Sequence, residues 1–251
     1  MTKERLDILV QERFQLTRSK AQGLIQTNCV RNSAGEILNK AGIRLDPDTA
    51  LFLSEGPRFV SRGGEKLARA LEVFPVSLQN RVVMDVGAST GGFTDCLLQH
   101  GAAHVYAVDV GYGQLAWSLR QDSRVTVLER CNIRTLRKEQ IPLSPTFFTV
   151  DCSFISLKLV LPCIVDLLAP VVEGIVLIKP QFEAGRHQVG KGGVVRDPAV
   201  HTEVVEGISR FAAGLGFSEV DSTPSPLLGP AGNKEFLAWL RGFTPPESIG
   251  T

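Results

Sequence analysis

Between residues 82 and 179, five short apolar runs recur at a spacing that leaves room for a helix or a long turn after each. They are Val82-Val83-Met84-Asp85-Val86, then residues 104–109, 125–128, 146–151 and 174–179. Runs of four to six residues rich in Val, Ile and Phe, with no polar alternation, are the pattern of strands buried on both faces. Helical segments are expected at 93–100 and 199–214, and the apolar stretch 159–172 reads as a buried helix. This alternation predicts an α/β domain built on a doubly wound, mostly parallel sheet. Two later runs, 217–222 and 235–240, follow one another with no helix between them, so an antiparallel edge is expected. The tail after Phe243, with Pro245-Pro246, is expected to be loose.

Residues 1–60 have a different texture and predict a small α+β domain ahead of a larger one at 61–245, with a helix at 63–74 joining them. Leu6, Leu9 and Val10 fall at helical spacing, and Thr17 or Ser19 can cap a second helix carrying Ala21, Leu24 and Ile25. Asn28 breaks that helix. Cys29-Val30-Arg31 and Glu36-Ile37-Leu38 flank a turn at Asn32-Ser33-Ala34-Gly35 and read as a tight hairpin, with a closing strand at 50–53.

The first strand of the larger domain runs into Asp85-Val86-Gly87-Ala88-Ser89-Thr90-Gly91-Gly92-Phe93. A glycine-rich turn at the carboxyl end of such a strand lets a ligand lie against the backbone. The G-x-G-x-x-G spacing that a dinucleotide requires is absent, and Asp85 would repel a diphosphate. S-adenosylmethionine carries an ammonium and a sulfonium and no phosphate, so a carboxylate beside the turn favours it. Asp109, at the end of the second strand and followed by Val110, is placed to accept hydrogen bonds from ribose hydroxyls. Asn132, behind the third strand, offers an amide to the adenine edge. The expected cofactor set is therefore Asp85, Gly87, Ala88, Ser89, Gly91, Gly92, Phe93, Asp109, Val110, Asn132 and Asp151. A turn that merely closes a βα unit is the competing reading.

Composition narrows the class further. Charge is nearly balanced, with 27 Lys+Arg against 26 Asp+Glu, so any nucleic-acid footprint must be local. The five cysteines, Cys29, Cys96, Cys131, Cys152 and Cys163, form an odd set with no C-x-x-C pair. Neither a zinc site nor a disulfide framework is expected, and a reducing, cytoplasmic setting is. The first residues are charged and lack the apolar core of a signal peptide, and the stretch 159–172 is too short for a bilayer and holds Pro162 and Asp166.

Five motifs occur in order: Ser61-Arg62-Gly63-Gly64-Glu65-Lys66-Leu67; the glycine turn continuing to Thr94-Asp95; Asp151-Cys152-Ser153-Phe154-Ile155-Ser156-Leu157; Ile178-Lys179-Pro180-Gln181-Phe182-Glu183; and Val189-Gly190-Lys191-Gly192-Gly193-Val194-Val195-Arg196-Asp197. Together they resemble the TlyA (hemolysin A-like) family, whose C-terminal domain is similar to FtsJ-type 2′-O-ribose methyltransferases. Arg5-Leu6-Asp7 and Thr17-Arg18-Ser19-Lys20-Ala21-Gln22-Gly23-Leu24-Ile25 resemble an S4 RNA-binding domain, although Asn28-Cys29-Val30-Arg31 departs from its usual glycine-led hairpin start. The resemblance implies a Rossmann-like class I methyltransferase fold behind an S4 module. It also implies S-adenosylmethionine as cofactor, and cytidines in both large and small ribosomal RNA as substrate. Finally, it implies a Lys-Asp-Lys-Glu catalytic set at Lys66, Asp151, Lys179 and Glu235.

The chemistry agrees with that set. A ribose hydroxyl is a poor nucleophile, so an enzyme must orient it and help remove its proton. Lys179 and Asp151 end adjacent strands and can meet at the crevice, and an amine that accepts a proton needs desolvation or a neighbouring cation such as Lys66. For Lys66 and Glu235 taken alone, a solvated helix start and a strand-edge charge are the competing readings. The glycine-rich segment 184–196, with Arg186, His187, Lys191 and Arg196, is expected to be a mobile cover that grips RNA phosphates, or else a flexible connection. Arg18, Lys20 and Arg31 lie in a stretch without acidic residues and, with Arg5 and Arg62, complete the expected RNA contacts. Three rival functions follow from the same residues. Cys152 could serve as the nucleophile of a base methyltransferase. The fold could belong to an RNA-binding assembly factor with a vestigial site. A membrane-damaging role, which the hemolysin name implies, has no spanning or strongly amphipathic segment behind it.

Overall fold

The computed structural model describes residues 3–26, 28–54, 56–169 and 172–245, and these form two compact units, Met1–Arg58 and Phe59–Thr251. The second unit thus begins two residues before the boundary read from the sequence. Phe59 belongs to it because its ring packs against Gly64, where an added Cβ would stand 2.2 Å from the ring.

The first unit contains β1 (Glu4–Arg5), α1 (Leu6–Arg13), α2 (Arg18–Gln26), β2 (Val30–Asn32), β3 (Arg44–Leu45) and β4 (Leu51–Leu53). Leu6, Leu9 and Val10 of α1 meet Ala21 and Ile25 of α2 in one small core closed by Val30 and Leu51. Thr17 caps α2 by accepting the Lys20 N–H at 3.3 Å. The expected hairpin is present but short. The antiparallel Arg31–Ile37 bridge is flanked by hydrogen bonds from the Leu38 N–H to the Val30 carbonyl oxygen (2.8 Å) and from the Asn32 N–H to the Glu36 carbonyl oxygen (3.1 Å). β2 takes β4 as its longer antiparallel partner. A second antiparallel pair, β1 with β3, has no local signature in the sequence.

In the second unit α3 (Gly63–Val73) precedes β5 (Val82–Val86), α4 (Gly92–Gln99), β6 (His104–Val108), α5 (Trp117–Arg120) and β7 (Val125–Leu128). Then follow β8 (Phe147–Val150), α6 (Leu157–Val165), β9 (Glu173–Ile178), α7 (Pro180–Glu183), α8 (Pro198–Gly214), β10 (Phe217–Pro224) and β11 (Phe236–Phe243). The seven strands form one sheet in the order β10-β11-β9-β8-β5-β6-β7. All neighbours are parallel except β11, which runs antiparallel to both β9 and β10. Alternate residues of each strand face opposite layers. Met84, Val86, Phe148, Val150, Val176 and Ile178 pack against α6 and α8. Val83, Phe147, Ile175 and Leu177 pack on the other side with α3 and α4. Strand order reverses between β8 and β6 around β5, so the crevice of this fold opens at the carboxyl ends of β5 and β8.

Two further expectations change. The helix expected to join the two units, α3, is a part of the second, and Gly92 of α4 lets the two helices touch closely, since a Cβ there would stand 2.8 Å from the Gly64 nitrogen. The apolar stretch 159–172 is helical only to Val165, and Pro170 and Val171 lie outside the described residues, as does the tail from Pro246. Among the described residues no helix is long and apolar enough to cross a membrane.

The centre of the sheet is tightly packed at Gly174, where a Cβ would fall 2.5 Å from the Phe148 ring. Gly174→Ala is predicted to destabilise the second unit by about 1–3 kcal/mol through overpacking, with part of the loss recovered in the Gly174→Ala/Phe148→Leu double variant. Urea unfolding of the two single variants and the double measures this, and purely additive losses would contradict it.

Candidate functional site

Two cavities flank the glycine turn. The first, about 440 Å³, is lined by Gly87, Ser89, Asp109, Val110, Asn132 and Asp151 among others. Among the described residues no lysine or arginine lines it, and its charged groups are the two aspartates. Such a cavity suits a ligand that is cationic and carries no phosphate. The second, about 670 Å³, is lined by Arg62, Lys66, Asp151, Lys179 and Glu235, together with Ala88, Gly92 and Phe93. Gly87, Ser89, Asp151 and Ser153 border both cavities.

The turn is fixed from below. Gly87 has φ +85°, and a Cβ there would stand 2.6 Å from the Asp151 carbonyl oxygen, so only glycine brings the turn this close to the end of β8. Asp109 accepts the Ser89 N–H at 2.7 Å and the Gly111 N–H at 2.6 Å, which ties the turn to the loop after β6. Glu129 organises that loop, accepting the Gln114 N–H at 3.2 Å and pairing with Arg120.

Two expected cofactor contacts are corrected. Asp85 is fully buried beneath the turn, and its oxygens accept hydrogen bonds from Thr94 Oγ1 (2.7 Å) and Thr149 Oγ1 (2.8 Å), so it faces the core and not the crevice. Burial raises its pKa to about 6, outweighing the hydrogen bonds that favour the carboxylate. Gly91, with φ +99°, starts α4 and packs toward Leu115 and Leu119, away from both cavities. Ala88, Gly92 and Phe93 line the second cavity and are absent from the first. The Asn132 side-chain Oδ1 accepts the Arg134 N–H at 3.0 Å, which holds the amide in place.

The four expected catalytic residues converge on the second cavity as two ion pairs. Lys66 Nζ donates to Glu235 Oε2 at 2.5 Å, joining α3 to the start of β11 across 169 positions of sequence. Lys179 Nζ stands 2.7 Å from Asp151 Oδ1. Lys179 is 8% exposed and Glu235 2%. The Lys179–Asp151 approach lacks hydrogen-bond geometry, and Asp151 Oδ1 accepts no hydrogen bond among the described residues. The amine instead donates to Ser153 Oγ at 2.9 Å. Ser153 was not among the expected site residues. Its signal was its place two residues beyond Asp151, at the same strand end. Phe154, next in the motif, holds φ +66° and is 89% exposed, with its ring 5.2 Å from that of Phe182.

Of the expected RNA contacts, Arg62 borders the second cavity. Arg186, Lys191 and Arg196 are exposed on the glycine-rich segment, but this segment is not a free cover. It has a 3₁₀ turn at Arg186–Gln188 and a bridge between Gly190 and Val194. Buried Asn233 pins its far end, accepting the Val195 N–H and donating to the Gly193 carbonyl oxygen, each at 2.9 Å. In the first unit Lys20 is exposed, and Arg31 donates to the Gly35 carbonyl oxygen. Arg18 has an acidic partner after all, from α1. Asp7 binds Arg5 through two hydrogen bonds (2.9 and 3.1 Å) and receives Arg18 Nε at 3.2 Å and Gln22 Nε2 at 2.9 Å. The Arg5 guanidinium, chiefly, holds the Asp7 carboxyl well below its usual range. Burial, with the Asp151 charge behind it, pushes the Cys152 thiol up to about 12, which makes it a poor nucleophile.

The profile of the FtsJ-like methyltransferases matches residues 59–242. A Bacillus subtilis (strain 168) protein named as a candidate rRNA methyltransferase, YqxC, is 49% identical over 241 residues, covering 95% of this chain and 85% of the relative. The 16S/23S rRNA (cytidine-2′-O)-methyltransferase TlyA of Mycobacterium tuberculosis (strain ATCC 25618 / H37Rv) is 46% identical over 228 residues, 85% of each chain. A solved structure from Streptococcus thermophilus, described as a candidate hemolysin, superposes with a TM-score of 0.73 at 43% identity, covering 100% of this chain and 93% of that one.

Asp85 yields a test of the buried support. An aspartate titrates near about 3.9 in the unfolded chain, against about 6 in the fold. The folded state therefore holds the proton more tightly. The resulting stability is complete below about pH 4 and is lost as pH rises through about 6, a loss on the order of 2–3 kcal/mol. Unfolding free energies of wild type and Asp85→Asn, compared from about pH 4.5 to 7.5, are predicted to diverge in that sense, and a difference independent of pH would contradict it.

Proposed function

This chain belongs to the FtsJ-like methyltransferase family, and on that basis we propose that it is an S-adenosylmethionine-dependent methyltransferase acting on the ribose 2′-hydroxyl of cytidines in ribosomal RNA. The observation that carries the reading is the junction of two unlike cavities at Gly87, Ser89, Asp151 and Ser153, one acidic and free of cations, the other holding both lysine pairs.

In this reading S-adenosylmethionine fills the first cavity and supplies a sulfonium methyl that is already a good electrophile. Gly87 and Ser89 present backbone to it, Asp109 and Asn132 hold its nucleoside, and Val110 covers one face. Asp85 acts only through the turn it supports. In the second cavity the neutral Lys179 amine orients the ribose hydroxyl and takes its proton as the oxygen attacks the methyl and the sulfonium leaves as a thioether, and Asp151 balances the ammonium so formed. Lys66 and Glu235 form the companion ion pair, and Arg62, unpaired among the described residues, adds one positive charge to the lining of the cavity. Arg62, Arg186, Lys191 and Arg196 hold RNA phosphates, where positive charge gives affinity without reading sequence.

The first unit is proposed to be an S4-like RNA-binding module. Arg5 and Arg18, held side by side on Asp7, with Lys20 and Arg31 nearby in sequence, would form its phosphate-contacting surface. Of the rivals, base methylation through Cys152 is disfavoured by the raised pKa of its half-buried thiol. A vestigial site is disfavoured by the intact pairing of all four charged residues.

Labelled methyl transfer to purified ribosomal subunits, mapped by resistance of the RNA to alkaline cleavage, tests the proposal. Wild type and Cys152→Ala are predicted to label an alkali-resistant linkage at equal rates, and Lys179→Ala to be slower by about 10²–10⁴-fold. Label at an alkali-sensitive position, or loss of activity in Cys152→Ala with Lys179→Ala active, would overturn it.

A further inference from the structure

We propose that Ser153 is a positioning residue for this transfer, aiming the Lys179 amine into the substrate cavity and keeping Asp151 Oδ1 uncommitted; this rests on the 2′-O-methylation reading above. Lys179 Nζ is a tetrahedral nitrogen with three directions beyond its carbon. Ser153 Oγ takes one of them, as the acceptor of a 2.9 Å hydrogen bond. Asp151 Oδ1 is nearer, at 2.7 Å, yet lies off the hydrogen-bond direction and accepts nothing among the described residues. The charge of Lys179 is thus balanced by Asp151, while its orientation is set by Ser153.

The consequence follows from what the amine would do without that hydroxyl. A buried carboxylate oxygen at 2.7 Å is the stronger acceptor, because hydrogen bonds between ionised partners exceed those to a neutral hydroxyl. The amine would turn onto Asp151, form the regular charge-assisted bond, and carry its remaining directions away from the cavity. With Ser153 present, one nitrogen direction stays open to the ribose oxygen, as a donor when the amine is charged and as a lone pair when it is neutral. Asp151 Oδ1 stays available to balance the ammonium once Lys179 has taken the hydroxyl proton. Ser153 borders both cavities, where methyl and hydroxyl must meet, and it is itself exposed, so its side chain supports no core packing.

The test uses the full chain with ribosomal subunits and labelled S-adenosylmethionine, comparing wild type, Ser153→Ala and Ser153→Thr. Ser153→Ala is predicted to lower kcat about tenfold or more, the scale of one misdirected hydrogen bond at the reacting centre, with KM for cofactor and subunits within about twofold of wild type. Ser153→Thr, which keeps the hydroxyl, is predicted to recover kcat to within about threefold of wild type. Wild-type kcat in Ser153→Ala would overturn the proposal. So would a Thr variant as slow as the Ala variant, or a loss in cofactor affinity as large as the loss in kcat. Wild-type label found on a base, or nowhere, would remove the ribose reading and the Ser153 assignment together. Alkali-resistant wild-type label with an unaffected Ser153→Ala would remove Ser153 alone.

Discussion

The crevice depends on the approach of one backbone to another, the turn at Gly87 against the carbonyl of Asp151. β5 and β8 are parallel neighbours at the point where strand order reverses, so their carboxyl ends emerge together and must diverge to leave space for a ligand. The positive φ of Gly87 and its missing Cβ let the turn fold over the end of β8 without forcing the strands apart. Beneath it Asp85 and Thr149, directly opposite in the ladder, join across the strands, and Thr94 ties the same carboxylate to α4. Three elements are thereby locked to one another at the place where the two cavities meet.

Burying charge beside that junction is costly, and ion pairs in protein interiors are weak contributors to stability. Two such pairs in one cavity are therefore better understood as equipment than as glue. Lys66–Glu235 links the start of α3 to the start of β11, and Lys179–Asp151 links the ends of β9 and β8. Each lysine is held by an element different from its own, so the geometry of the set is fixed only when the whole domain is folded.

Much of this was legible in the sequence because it is local. Buried runs of Val, Ile and Phe announce strands, the run from Gly87 to Phe93 announces a ligand-bearing turn, and the two helix-free runs at the end announce the antiparallel edge. The catalytic set came from motif resemblance, since nothing local says that Lys66 and Glu235 meet. Asp85 was misplaced although its signal was available. It shares strand parity with Val83, a core residue, so a carboxylate there points inward. The partners of Arg18, the β1–β3 pair and the Asn233 clamp escaped because each joins segments through tertiary packing, which periodicity cannot report. Ser153 escaped for a subtler reason, since its role depends on an angle at Lys179 as well as on a distance.

The central claim is that a ribose hydroxyl meets the cofactor's methyl position at the junction of the two cavities. A structure of this chain on a ribosomal subunit, with a non-reactive S-adenosylmethionine analogue, tests it most directly. The predicted result is a cytidine 2′-oxygen beside Lys179 Nζ and roughly 3–3.5 Å from the methyl-equivalent atom, the separation of a reactive pair. A base atom in that place, or a ribose held outside the cavity that contains Lys66, Asp151, Lys179 and Glu235, would contradict it.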